Sequence, residues 1–150
     1  MELKIVTEDK YLPKYANATD ACMDIKAKIE KDEFGDETVC IQPGEVALIH
    51  TGLKVAIPEG YVMQMFVRSS TGIKRNLCLA NGTGIIDAGY RDEIMIALYN
   101  FGKMTQWIQD GDRICQFILL PFPKIELKQV EDNEEFRNGD RGGGIGSSGK

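Results

Sequence analysis

The sequence lacks the features that mark a membrane protein or a nucleic-acid-binding protein. No apolar run approaches the roughly 20 residues that span a bilayer, and the first residues do not have the charged-then-apolar order of a signal peptide. Clustered Lys and Arg are missing from a chain of net charge −5, which argues against binding of phosphate backbones. These absences predict a soluble, cytoplasmic protein that binds neither membranes nor nucleic acid.

Metal-ligating and nucleophilic residues are also scarce. The four cysteines lie far apart without a C-x-x-C pair, and His50 is the only histidine. We interpret the cysteines as reduced thiols without a chemical role, since Cys78 and Cys115 lie within apolar segments typical of strands. His50 has no Ser or Cys nucleophile near it in the sequence, so we expect a structural role rather than a place in a catalytic triad.

What the chain does contain is a series of short segments with period-two alternation, separated by turn residues. One domain of about ten strands is predicted, with an all-β, jelly-roll-like double sheet and one short helical turn that Ser69 or Ser70 caps. Segments 61–67 and 93–99 are apolar on both faces, which predicts burial on both sides. The predicted strands are 3–6, 23–27, 38–41, 46–50, 53–57, 61–67, 93–99, 114–120 and 125–130, and the helical turn is 69–75.

The C-terminal segment differs in composition from the rest. Residues 131–135 are acidic and residues 137–150 are rich in glycine, with too few apolar groups to offset the entropy of ordering the chain. We expect a jelly-roll hydrolase domain at residues 1–130 and a flexible arm of the same domain at residues 131–150. The amides and basic side chains of this arm are suited to phosphate, which predicts a lid over an anionic ligand; the alternative is a disordered terminus.

A glycine-flanked segment between Asn81 and Glu93 carries a carboxylate, Asp87, three residues before an aromatic ring, Tyr90. Glycine permits positive φ and lets a flat ligand approach the main chain closely. Alternating apolar residues on both sides predict the tip of a β-hairpin, where peptide groups can hydrogen-bond a base. The segment therefore predicts a nucleoside pocket with a general base beside it.

Three further segments place polar groups at the ends of predicted strands. Asp24 begins one strand and is a candidate outer-sphere partner of magnesium, or an aspartate in solvent. Arg68, Ser69 and Ser70 follow another strand, where they can bind an anion together with helix-start amides; the simpler interpretation is a helix cap beside a surface arginine. Gln116 lies among apolar residues, and a buried Gln needs hydrogen-bond partners.

The order and spacing of five segments resemble the trimeric dUTPase family. Four of these segments are 21–25 (family pattern A-G-x-D-L), 68–70 (R-S-S), 84–93 (G-x-I-D-x-x-Y-x-G-E) and 111–116 (G-x-R-I-A-Q). The fifth, residues 141–149, is similar to R-G-x-G-G-F-G-S-T-G. Because the matches occur in order over most of the chain, the resemblance is specific.

The resemblance implies a β jelly roll that assembles as a homotrimer, with active sites that each combine segments of more than one subunit. It implies hydrolysis of dUTP to dUMP and pyrophosphate, which limits uracil incorporation into DNA and supplies dUMP for thymidylate synthesis. Asp87 would deprotonate a water that attacks the α-phosphorus. Tyr90 would stack under the deoxyribose and exclude a 2′-hydroxyl, while the turn from Asn81 to Ile86 would read uracil.

The same resemblance implies the remaining roles. Asp24 would hold Mg²⁺ through water, and this ion would offset repulsion between an acidic protein and the triphosphate. Arg141, or Arg137 in its place, would reach the γ-phosphate when the arm closes. The residues expected to contact the substrate are Arg68, Ser69, Ser70, Asn81, Gly84, Ile86, Tyr90, Gln116, Arg141, Ile145, Gly146 and Ser147.

The chain departs from the family pattern at a few positions. Ile145 replaces a phenylalanine and can cap uracil without stacking on it; the arm is one residue shorter, and Asp92 and Cys22 replace glycines. Two alternatives remain: a dCTP deaminase of the same fold, and a non-catalytic, nucleotide-sensing regulatory module. The Asp87-x-x-Tyr90 arrangement and the arm favour phosphate hydrolysis over deamination, and the retained Asp87 argues against a module without catalysis.

Overall fold

The computed structural model describes residues 1–140 and residue 142, and within them the chain forms eleven β-strands and one α-helix. The strands are β1 (Lys4–Val6), β2 (Met23–Lys26), β3 (Thr38–Ile41), β4 (Val46–His50), β5 (Lys54–Ala56), β6 (Tyr61–Val67), β7 (Leu77–Leu79), β8 (Gly84–Ile86), β9 (Met95–Asn100), β10 (Gln106–Gln109) and β11 (Arg113–Pro121). The helix is α1 (Ser69–Arg75), and a 3₁₀ turn covers Asp9–Tyr11. The predicted all-β fold with one short helix is confirmed.

The strands pair antiparallel in four sheets, with the orders β2-β11-β6-β8, β4-β9-β7, β10-β3 and β1-β5. One core cluster joins them, and it includes Met63 and Met65 of β6, Ile96 and Leu98 of β9, and Phe117 of β11. Buried residues alternate with half-buried or exposed ones along β6 and β9. The prediction that these two strands are buried on both sides was therefore wrong for the single chain, in which each of them has one face less covered than the other.

Two local predictions were also wrong. The N-cap of α1 is Arg68, and no side chain caps the helix, so Ser69 and Ser70 lie in its first turn instead. Residues 125–130 form no strand, and Ile125 and Leu127 are highly exposed. The alternation of apolar residues in that segment is real, but a strand also needs a partner edge, and the segment pairs with no strand among the described residues. Within the same residues, no helix is long and apolar enough to cross a bilayer.

Asp110 ties the 3₁₀ turn to the connection between β10 and β11. Its side chain, 4% exposed, pairs with Lys10 and accepts hydrogen bonds from the Tyr11 hydroxyl at 2.7 Å and the Ile29 amide at 2.9 Å. Burial raises the pKa of Asp110, but the hydrogen bonds from Lys10, Ile29 and Tyr11 together lower it by more. The net pKa therefore lies below the ordinary value of 3.8.

Asp110→Asn should reduce the free energy of unfolding at pH 7 by about 1–3 kcal/mol, because the charged acceptor is lost. Because the pKa of Asp110 is lower in the folded state than in the unfolded chain, its carboxylate stabilises the fold at pH values above the ordinary pKa of 3.8. This contribution to the free energy of unfolding is lost as the pH falls below about 3.8. Urea unfolding at pH 7 and near pH 3 checks both statements. If the difference in the free energy of unfolding between wild type and Asp110→Asn were larger near pH 3 than at pH 7, the proposed role of the Asp110 carboxylate would be contradicted.

Candidate active site

The sheet β2-β11-β6-β8 brings the candidate phosphate-binding residues together. Asp24 lies opposite Gln116, and Gln116 lies opposite Phe66. Two residues after Phe66 the chain leaves β6 and enters α1, which places Arg68 and Ser69 beside the same end of the sheet. These residues line one cleft of about 320 Å³, together with Ala16, Asp20, Ala21 and Cys22.

Two arginines neutralise the carboxylate of this cleft. Arg68 Nε lies 2.8 Å from Asp24 Oδ1, and an Arg113 guanidinium nitrogen lies 3.0 Å from Oδ2. The Asp24 side chain is 14% exposed. Arg113 could not be recognised from the sequence as a site residue, because its pairing with Asp24 depends on the register of β2 against β11. Arg68 thus lines the cleft itself, whereas Arg113 pairs with the same carboxylate from outside the lining, and together they offset the charge of Asp24.

The donors in the cleft fit a magnesium ion that arrives with phosphates. Mg²⁺ keeps several waters and is commonly bound by one or two carboxylates together with substrate phosphates. Asp20 and Asp24 both line the cleft. Among residues 1–140 and 142, no cluster of three or more His, Cys, Asp and Glu side chains is arranged to hold a metal by itself. A protein-enclosed magnesium site is therefore not present in this part of the chain.

β8 carries the candidate nucleoside segment at the other edge of the same sheet. Gly84 lies opposite Met65 and is buried, and a Cβ at this position would collide with the Met65 side chain. Any larger residue at this position would therefore force the Met65 side chain to shift. The predicted hairpin was wrong, because β7 pairs with β9 whereas β8 pairs with β6. The turn that contains Asn81 instead crosses between two sheets, and Asn81 itself is exposed.

A tight turn follows β8 and presents the two residues expected to do chemistry. The Tyr90 amide donates to the Asp87 carbonyl at 3.1 Å, which closes the turn. The Tyr90 ring is 38% exposed, and its hydroxyl donates to the Glu93 carbonyl at 2.8 Å. Asp87 is exposed, and none of the hydrogen bonds among the described residues involves its carboxylate. The arrangement leaves this carboxylate accessible to a water molecule.

The two halves of the candidate site lie far apart in one chain. Ile86 is opposite Met63, Asp87 follows it, and Arg68 comes five positions later than Met63 along β6. At roughly 3.3 Å per strand residue, Asp87 and Arg68 are at least about 15 Å apart along the strand. The lining of the phosphate cleft accordingly includes no residue from 81–90. One chain therefore does not unite the predicted site.

The remaining residues that were predicted to bind substrate lie in different places in the structure. Ser70 is half-buried in α1 but does not line the cleft. Arg137 is exposed and pairs with Asp132. Burial raises the pKa of Cys115 to about 12, which agrees with a thiol that has no chemical role. Arg141, Ile145, Gly146 and Ser147 lie outside the described residues, as does the end of the predicted flexible lid from residue 143 onward.

The all-β fold and a cleft at the sheet end, where Arg68, Ser69 and Gln116 can donate hydrogen bonds, define a protein suited to a ligand rich in acceptor oxygens. The chain belongs to the dUTPase family, whose model matches residues 8–149. It is similar to the deoxyuridine 5′-triphosphate nucleotidohydrolase of Clostridium tetani, with 37% identity over 100% of this chain and 97% of that protein. The corresponding protein of Finegoldia magna is 39% identical over 99% of both chains. The resemblance found in the sequence is therefore confirmed.

Solved structures agree with this assignment. A variant of the Staphylococcus bacteriophage 80alpha dUTPase with dUpNHpp is similar at a TM-score of 0.75 and 29% identity, over 89% of this chain and 98% of that one. A variant dUTPase from phage phi11 of S. aureus, in which a structural Mg(II) ion is coordinated, has a TM-score of 0.75 and 28% identity over 88% and 98%. Both similarities extend over nearly the whole of the compared structures.

Proposed function

We propose that this protein hydrolyses dUTP to dUMP and pyrophosphate. The observation that carries the proposal is similarity along the full chain to two deoxyuridine 5′-triphosphate nucleotidohydrolases. The cleft with the donors Arg68, Ser69 and Gln116 and the exposed carboxylate of Asp87 support the proposal, because phosphoryl transfer depends mainly on positioning and charge neutralisation. Its free thiols are compatible with action in the reducing cytoplasm.

In the proposed reaction, Asp87 accepts a proton from a water whose oxygen attacks the α-phosphorus. The bond from this phosphorus to the bridging oxygen breaks, and pyrophosphate leaves with that oxygen. Tyr90 lies under the deoxyribose and occupies the space that a 2′-hydroxyl would need. The backbone from Asn81 to Ile86, including Gly84, hydrogen-bonds uracil.

The phosphates occupy the cleft, where Arg68, Ser69 and Gln116 bind them and Ser70 contributes from α1. Asp24 would hold Mg²⁺ through water, and the ion would neutralise charge on the triphosphate. The arm completes the site. Arg141, or Arg137 in its place, contacts the γ-phosphate, while Ile145, Gly146 and Ser147 cover the base and phosphates.

We also propose a homotrimer in which each site combines segments of different subunits. The separation of at least about 15 Å between Asp87 and Arg68 supports this, because a neighbouring chain can bring its own Asp87 to the cleft. Val46, Leu48, Ile125 and Leu127 are apolar side chains that one chain leaves exposed, and assembly would cover such groups. Light scattering should give three times the chain mass; a monomer with full activity would refute the shared site.

Anion-exchange analysis of products tests the reaction directly. Purified protein incubated with Mg²⁺ and dUTP should yield dUMP and pyrophosphate, and incubation with dCTP should leave that nucleotide intact. Deamination of dCTP would instead indicate the deaminase alternative. Tight dUTP binding without turnover would indicate a nucleotide-sensing module.

A further inference from the structure

We propose that Glu93 is a positioning residue that fixes Tyr90 and Asp87 and thereby sets the preference for deoxyribose over ribose. This inference rests on the proposed function, since it assigns to Tyr90 the exclusion of a 2′-hydroxyl. Glu93 does not line the cleft. It acts through the residues that it holds.

The Glu93 carboxylate is bound to the connection between β4 and β5. Its Oε1 accepts hydrogen bonds from the amides of Thr51 at 3.0 Å and Gly52 at 2.7 Å, and Oε2 lies 3.1 Å from His50 Nδ1. Burial raises the pKa of Glu93, but the Gly52 amide, His50 and the Thr51 amide lower it by more, so the net pKa lies below 4.5. The carboxylate is therefore ionised near neutral pH and is a strong acceptor.

The backbone of the same residue holds the tyrosine. The Tyr90 hydroxyl donates to the Glu93 carbonyl at 2.8 Å. At the next position, the Ile94 amide donates to the Leu53 carbonyl at 2.8 Å, and the Thr51 hydroxyl donates to the Ile94 carbonyl at 2.5 Å. Glu93 thus joins the aromatic side chain, through its carbonyl, to a second structural element, through its carboxylate.

The element that receives Glu93 is itself rigid. Thr51 and Leu53 are buried, and the Leu53 amide donates to the Thr51 hydroxyl at 3.1 Å. Gly52 has φ of +63°, a conformation that favours glycine, and a Cβ there would lie 2.7 Å from the Lys28 side chain. A carboxylate bound to this connection has little freedom to move.

The turn of residues 87–92, which carries Asp87 and Tyr90, is held in place at both of its ends. On its N-terminal side, Ile86 pairs with Met63 in the sheet, and on its C-terminal side, Glu93 and Ile94 bind the connection between β4 and β5. Residues 87–92 between these anchors are exposed or half-buried. Loss of the Glu93 carboxylate would therefore leave the C-terminal side of the turn anchored by the backbone of Ile94 and without the bonds at Glu93 itself. A ring that excludes a single hydroxyl must be placed accurately, and misplacement by about 1 Å can cost about 100-fold.

Three variants test this role. Glu93→Ala should lower the ratio of kcat/KM for dUTP to that for UTP by about tenfold or more, because the ring moves and ribose is admitted. Glu93→Gln keeps an oxygen acceptor for the two amides and should hold the ratio within about threefold of wild type. Val55→Ala is the matched control, since it removes buried core volume from neighbouring β5 without touching Glu93, and it should lower stability but leave the ratio unchanged.

Amide hydrogen exchange provides a readout that does not depend on turnover. Exchange at residues 87–92 should be faster in Glu93→Ala than in wild type, Glu93→Gln or Val55→Ala. A dUTP-to-UTP ratio in Glu93→Ala within twofold of wild type, or an equal loss in Val55→Ala, overturns the proposal. A wild-type protein that does not hydrolyse dUTP would refute the proposed function instead, and the exchange measurement would still decide whether Glu93 anchors the turn.

Discussion

Asp87→Asn should lower kcat for dUTP by about 10²- to 10⁴-fold, the usual contribution of a general base. Asparagine has nearly the same size and shape as aspartate but does not accept the proton of the attacking water. Because the carboxylate is exposed and makes no hydrogen bond among the described residues, its replacement should not disturb the turn. Steady-state kinetics measures the loss, and calorimetric titration with dUpNHpp should give an affinity close to that of wild type.

Asp92→Asn is a suitable control for that variant. Asp92 is an exposed carboxylate in the same segment, so the substitution makes the same change in charge five residues away. We expect its kcat to stay within about threefold of wild type, as is usual for surface positions without a special role. If Asp87→Asn turned over dUTP at the normal rate, or if both variants lost activity equally, Asp87 would not be the base.

Local sequence patterns predicted the strands that turn residues separate clearly. β3, β4, β6 and α1 have the bounds that the sequence predicts, and Pro43-Gly44 and Pro58-Glu59-Gly60 mark two of the turns between them. Proline and glycine restrict or permit specific backbone conformations, so their effect is local and can be read without knowledge of the fold. The charged residues of the candidate site could be recognised from the sequence as well, since each lies in a short segment whose pattern is local.

Features that depend on which strands pair, or on contacts between distant segments, could not be predicted in this way. The alternation around Asn81 predicts a hairpin, but it does not specify that β7 and β8 pair with strands in different sheets. The segment 125–130 has the pattern of a strand and no partner edge among the described residues. Arg113 and Glu93 acquire their contacts only when β2 lies beside β11 and the connection after β4 lies beside Glu93. Register and tertiary contact, rather than residue type, decide these features.

A chain that ends after Val130 should fold but hydrolyse dUTP at least about 100-fold more slowly. The described residues from 131 to 140 are exposed, and their hydrogen bonds, including that of Arg137 with Asp132, stay within the arm. Removing them therefore takes no described contact from the core. In the proposed mechanism the arm supplies an arginine to the γ-phosphate and excludes water, and loss of such a closing segment impairs the reaction rather than the fold.

Urea unfolding and steady-state kinetics on the truncated chain separate these two effects. The free energy of unfolding should stay within about 1 kcal/mol of wild type, as expected when no buried group is removed. Arg137→Ala and Arg141→Ala in the full chain identify the contributing arginine, because the pairing of Arg137 with Asp132 is an exposed ion pair that is easily exchanged for phosphate. An unchanged rate of dUTP hydrolysis after truncation would show that the arm does not act as a lid. A truncated chain that does not fold would show that the arm belongs to the structural core.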